Sequence, residues 1–220
     1  MELERVDTVR AYEMIRERIT TLEMAPGSVI NEQLLAEEMN MASVPVREAL
    51  KLLVHDSLVV ITPRHGLYVA GLNVPDLEQL SEMRLALESL SARLAAQRAT
   101  EDDIVVLEAL RLEQARIPAE DGAPGSSRQL FDVDHRFHQA IARASHNKYL
   151  ADGLERLFGL SQRLWYLALP QLGFLPSAVE KHLDLVDAIK AQDAGQAERI
   201  MRSHVQEFYD QVRKVLAEES

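Results

Sequence analysis

Four side chains carry the chemistry that this sequence offers. Asp134 and His138 lie four residues apart, so on a helix they share one face. His182 and His204 belong to two later helical stretches, and each borders an apolar stripe. His182 has Leu183 and Leu185 as neighbours, with Val186 and Ile189 on the inward stripe; His204 stands between Ile200-Met201 and Phe208. A carboxylate and three imidazoles converging from three helices could hold one divalent ion inside a bundle. Imidazole with carboxylate suits Zn, Ni, Mn or Fe, with Zn or Ni favoured, rather than Ca or Mg. Four protein ligands on an ion that prefers five or six leave positions for water or a ligand's carboxylate. Taken singly, each histidine reads as an ordinary surface or satisfied core residue as readily as a ligand, and spacing alone does not decide between them. His135 points about 100° away from Asp134 and reads as a solvated neighbour.

Arg84 is the other unusual residue, on the Leu80/Leu87 face of an earlier helical stretch. It reads either as an i,i+4 partner of Glu88 on the helix flank or as a guanidinium aimed inward to grip a carboxylate. Arg143, Asn147 and Trp165 could line the same cavity or serve structure alone. There is no cysteine, no nucleophile–base arrangement and no glycine-rich phosphate loop. A hydrolase would need a general base beside an ion-bound water, and no carboxylate is evident for that role. A metalloenzyme built on a helical bundle is one reading of such a site, and a purely structural ion that only stiffens the bundle is another.

The elements that must position these groups are mainly helical. From position 75 onward the apolar spacing predicts helices over 75–98, 101–117, 128–145, 148–168, 177–191 and 194–217, a six-helix antiparallel bundle. Thr100 with Asp103 resembles a capping box, and Asp193 a cap before the last helix. Loops are expected at 118–127 and 169–176. The N-terminal third reads differently. Helices are expected over 6–23, with Val9, Tyr12, Ile15, Ile19 and Leu22 inward, and again after Asn31, with Leu34, Leu35 and Met39 inward. A third follows from Ser43, read as its N-cap, with Pro45 in the first turn. Two short strands, 58–61 and 67–70, flank the loop Pro63-Arg64-His65-Gly66. A helix followed by a two-stranded wing with a basic tip suits DNA, with the helix in the major groove and the wing on the backbone. Gln33, Ser43, Val44, Arg47, Lys51, Arg64, His65 and Gly66 are the candidate DNA-facing residues. The division is 1–70, a linker at 71–76, and 77–220.

The net charge of −11 argues against a non-specific nucleic-acid coat protein. Positive charge is local: within 41–66, Arg47, Lys51 and Arg64 outnumber Glu48 and Asp56. No apolar run approaches the roughly 18 residues of a membrane span, and the start lacks the pattern of a signal peptide. A cytoplasmic protein with no membrane partner is the expectation.

Residues 9–70 resemble the winged helix-turn-helix domain of the GntR transcription regulators. The resemblance rests on Pro26-Gly27, Asn31-Glu32 with Leu35-Ala36, Pro45-Val46-Arg47-Glu48-Ala49-Leu50, Asp56-Ser57-Leu58-Val59 and Arg64-His65-Gly66. Residues 75–217 are similar to the all-helical FCD ligand-binding domain of the FadR-type branch, in its shorter, VanR-like, six-helix form. Its metal motif is an Asp and three His, on which Asp134, His138, His182 and His204 fall, and such regulators often carry an arginine where Arg84 stands. The resemblance implies a homodimeric regulator, expected to be a repressor, that reads a double-stranded operator under control of a small carboxylate effector. Two positions depart from the pattern. Ser43 stands where the family usually has an arginine, and Gln33 where some members have a basic residue. Both changes remove possible DNA contacts, which implies weaker binding or an altered operator.

Overall fold

The computed structural model describes residues 2–72, 74–117, 124–172 and 176–218. Among these, nine helices and three short strands follow one another as α1 (Glu2–Thr20), β1 (Val29–Ile30), α2 (Glu32–Glu38), α3 (Ser43–His55), β2 (Val59–Thr62), β3 (Gly66–Val69), α4 (Val74–Arg98), α5 (Glu101–Arg116), α6 (Pro124–Ala144), α7 (Lys148–Leu172), α8 (Pro176–Lys190) and α9 (Ala194–Glu218). Two compact units result: residues 1–73 with 159–167, and residues 74–158 with 168–220.

In the first unit, Ala11, Ile15 and Ile19 of α1, Leu35 and Ala36 of α2, and Val46, Ala49, Leu50 and Leu53 of α3 form one core with Leu58, Val59 and Val69. Asn31 starts α2 by accepting from the backbone N–H groups of Gln33 and Leu34, which satisfies donors that the helix itself leaves open. The turn into α3 comes from Asn40 at φ 50°. The Asn40 N–H bonds Glu37 O and the Met41 N–H bonds Ala36 O, the paired bonds that close a helix through a left-handed residue. Ser57 at φ 62° ends α3 the same way, with Leu58 N donating to Leu53 O. Tyr12 Oη donates to Asp56 Oδ2 at 2.8 Å and ties α1 to that end.

Several sequence expectations change here. Helix α3 begins at Ser43 itself, with Ala42 at the cap and no side-chain cap bond. Val9 and Leu34 are exposed; in a helix as short as α2 the buried stripe narrows to Leu35 and Ala36, followed by Met39. The wing strands are shifted by one residue from 58–61 and 67–70, because Gly66 at φ 101° already pairs with Thr62. A third strand joins them: β1 pairs with β3, giving the antiparallel order β1-β3-β2.

In the second unit, α4 packs along α9, α5 along α6 and α8, and α8 along α9. Leu94, Ala142, Leu150, Leu154 and Phe158 form a buried cluster. The capping box is present: Thr100 Oγ1 accepts from the Asp103 N–H, and Asp103 Oδ2 accepts from the Thr100 N–H at 2.9 Å. Asp193 Oδ1 accepts from the Gln196 N–H at the start of α9. Helices α6 and α8 start earlier than expected, each at a proline. A first-turn proline lacks only an N–H that the helix would not have used. Helix α7 runs on to Leu172. Of the expected loops, positions 118–123 and 173–175 lie outside the described residues, as does Asn73 of the linker.

Candidate functional site

Helix α6 carries Asp134 and His138 one turn apart, α8 carries His182 and α9 carries His204. Their donor atoms all lie within 4.8 Å of one another. His204 Nε2 is 2.9 Å from His138 Nε2 and 3.3 Å from His182 Nε2. Asp134 Oδ1 is 3.8, 3.4 and 3.9 Å from the Nε2 atoms of His138, His182 and His204. Ligand bonds of about 2.1 Å place adjacent donors roughly 3.0 Å apart in an octahedral shell and about 3.4 Å apart in a tetrahedral one. The separations in the cage span these values. The three rings are buried, and the Asp134 side chain is 19% exposed. The donor set therefore fits one divalent transition ion.

Aromatic rings wall the cage. Phe137 stacks on His182 with centroids 4.1 Å apart, and Phe158 meets His138 edge-on. His135, expected in solvent, is instead largely covered and packs against Phe158 with centroids 5.0 Å apart. A helical position 100° from the ligand face still points inward where a neighbouring helix closes over it.

Burial and the neighbouring imidazoles push His182 and His204 well below the ordinary histidine value. They stay neutral with lone pairs available. Burial also lowers His138, but Glu88 and Asp134 outweigh it and raise the ring. Burial raises Asp134 against the pull of His138 and Arg84.

Arg84 is 5% exposed and lies within this unit, its guanidinium 4.4 Å above the Phe158 ring. Nε donates to Glu88 Oε1 at 2.6 Å, so the i,i+4 pair forms, buried instead of on a flank. Nη1 lies 3.5 Å from Tyr209 Oη. Burial pushes the Glu88 carboxyl up, but Arg84 and His138 hold it down at about 2. Of the other three candidates, Arg143 and Asn147 do not join the cage. Arg143 is exposed and lines a surface pocket with Gln139, Asp152 and Glu155. Asn147 caps α7 by accepting from the Leu150 N–H. Trp165 belongs to the first unit. Glu88, Gln114 and Tyr209 were not singled out as site residues by spacing. Glu88 was visible only as a partner of Arg84, and a buried Gln114 in an amphipathic helix leaves no sequence signal.

In the first unit, Gln33, Ser43, Val44, Arg47, Lys51, Arg64, His65 and Gly66 are all exposed. Arg47 is paired with Glu32, its Nη2 2.8 Å from Oε1, and Lys51 with Glu48 at 2.6 Å. Arg64 at φ 68° and Gly66 at φ 101° shape the wing tip.

A helix-turn-helix with a three-stranded wing, followed by a helical domain with a largely buried Asp/His₃ cluster, defines a class of DNA-binding regulator. The family comparisons agree on the class. Residues 8–69 match the bacterial regulatory proteins of the gntR family, and residues 79–207 match the FCD domain. The chain is 30% identical over 212 residues to the HTH-type transcriptional repressor RspR of Escherichia coli (strain K12), covering 95% of this chain and 90% of that one. It is 27% identical over 191 residues to the Nta operon transcriptional regulator of Aminobacter aminovorans, covering 87% of each. The solved structure of E. coli McbR/YncC superposes with a TM-score of 0.79 at 21% identity, covering 97% of this chain and 99% of that one. The protein belongs to the GntR family of DNA-binding transcription regulators and carries an FCD domain. The families and relatives it matches are regulators, not enzymes. Among the described residues, no helix is long and apolar enough to cross a membrane.

Proposed function

We propose that this protein is a homodimeric repressor whose operator affinity is set by a small organic acid bound at a divalent metal in the helical domain. The reading is carried by one observation: three imidazole nitrogens and one carboxylate oxygen meet within 4.8 Å in a largely buried cage. Asp134, His138, His182 and His204 would hold the ion. The ion would supply a Lewis-acidic anchor for the effector's carboxylate. Arg84 is the second anchor. Glu88 already takes its Nε–H, so an incoming acid must use other N–H groups of the guanidinium. A repressor's name on RspR supports the sign of regulation. Two-fold related α3 helices would read a pseudo-palindrome, with Arg47, Lys51, Ser43, Val44 and Gln33 toward the groove and Arg64, His65 and Gly66 on the backbone. Such a regulator works in the cytoplasm, where its operator is.

The test begins with an operator selected from a random-sequence DNA library. Fluorescence anisotropy then follows its affinity as small carboxylates are added to zinc-loaded and metal-stripped protein. The expected result is that at least one acid weakens operator binding roughly 5- to 150-fold, and only with metal present. An acid response that persists in Asp134→Ala would leave the ion a purely structural role. No sequence preference at all would overturn the operator reading.

A further inference from the structure

Helices α4 and α5 contribute no ligand to the cage, yet each sends one buried polar side chain to the back of a ligand. His138 Nδ1 pairs with Glu88 Oε2. His182 Nδ1 lies 2.8 Å from Gln114 Oε1. Glu88 is 1% exposed and Gln114 4%. An ionised carboxylate and an amide oxygen can only accept, so both ring nitrogens must donate. A neutral imidazole that carries its proton on Nδ1 presents its lone pair at Nε2. Those Nε2 atoms are the ones that face His204 Nε2.

We propose that Glu88 and Gln114 are ligand-positioning residues, which fix His138 and His182 as Nε2 donors and so preorganise the cage for a divalent ion. This deepens the metal reading and rests on it. Glu88 is itself fixed: Oε1 accepts from Arg84 Nε while Oε2 meets His138. With both oxygens committed, the carboxylate cannot swing round to become a ligand, which accounts for its place outside the cluster of four. The two supports differ in kind. Glu88 is anionic and makes His138 the more basic ligand, whereas Gln114 is neutral and supplies orientation with little added charge.

The test is a zinc titration of metal-stripped protein against a chromophoric chelator, at fixed pH, in wild type, Glu88→Gln, Gln114→Met, Gln114→Glu and Asp134→Ala. Loss of a residue behind a metal-bound histidine typically weakens binding roughly 10- to 100-fold. That loss is expected for Glu88→Gln and Gln114→Met, whereas Gln114→Glu keeps an oxygen acceptor and stays near wild type. Full affinity in both weakening variants, with binding abolished in Asp134→Ala, would overturn the inference and leave the metal site standing. Wild-type zinc affinity in Asp134→Ala would instead remove the metal reading, and this inference with it. Nitrogen-15 NMR of the zinc-loaded wild type decides even where a variant fails to fold. Both rings should carry the proton on Nδ1 and the ion on Nε2; an ion on Nδ1 of either ring would overturn the assignment.

Discussion

His138 Nε2 and His204 Nε2 face each other at 2.9 Å inside a buried cage. Glu88 holds the His138 proton on the far nitrogen, so His138 Nε2 offers its lone pair toward the centre of the cage. A divalent ion at the proposed site would tie α6, α8 and α9 together, and its removal should be felt throughout the second unit. Zinc at about 100 times its dissociation constant stabilises the folded form by about 2.7 kcal/mol. For a chain of this size that corresponds to a rise of roughly 5–10 °C in melting temperature. Differential scanning calorimetry of chelator-treated and zinc-reloaded protein measures it; coincident transitions would contradict it.

Arg47 and Glu32 form the corresponding pair on the DNA side. Arg47→Ala should weaken operator binding roughly 5- to 150-fold if the guanidinium reads a base. Glu32→Gln removes the anion that holds Arg47 at 2.8 Å and takes a negative charge away from the phosphates. It should tighten binding at low salt, and anisotropy titrations across salt concentrations would detect this. Weaker binding in Glu32→Gln would mean that the carboxylate serves to aim Arg47.

The buried Arg84–Glu88 pair makes a stability prediction. Arg84→Met leaves a carboxylate in the core with only His138 as partner. Breaking a buried pair from one side costs about 3–5 kcal/mol. Urea denaturation of metal-free protein should show a loss of that order, and a loss well below it would mean that Glu88 finds water or another cation.

The capping box at the head of α5 is titratable. Burial raises the Asp103 carboxyl, but hydrogen bonds from Thr100 and the nearby His146 together outweigh it and the group sits below its usual value. A lowered carboxylate contributes stability that is fully present above its unfolded value of about 3.9 and is lost as pH falls through the folded one. Asp103→Asn should therefore lower stability at pH 7, by about 1 kcal/mol, a typical cap contribution. The difference from wild type should shrink as pH falls below about 4. A difference that is constant with pH would contradict the role of the charge.

Much of this arrangement was legible in the sequence because helices repeat every 3.6 residues and their ends carry distinct residues. Asn31, Thr100 with Asp103, and Asp193 marked helix starts that formed. The Asp134/His138 spacing and the apolar borders of His182 and His204 left a shared cage open as one reading, and their donor atoms do lie together. What stayed hidden depends on packing between segments. A two-residue strand such as β1 has no alternation to read. Ser43 looked like a cap because its side chain suits one, but the backbone turns a residue earlier, at Ala42. His135 was placed in solvent because its cover, Phe158, comes from α7. Gln114 had no local signal, since its partner His182 lies far along the chain.

Effector control at a metal requires that the four proposed ligands hold one ion. Metal content measured by mass spectrometry, with isothermal titration of zinc and nickel into stripped wild-type protein and Asp134→Ala, tests that. The account predicts one tightly bound ion per chain in the wild type and greatly weakened binding in the variant. Equal, weak binding by both proteins would contradict it.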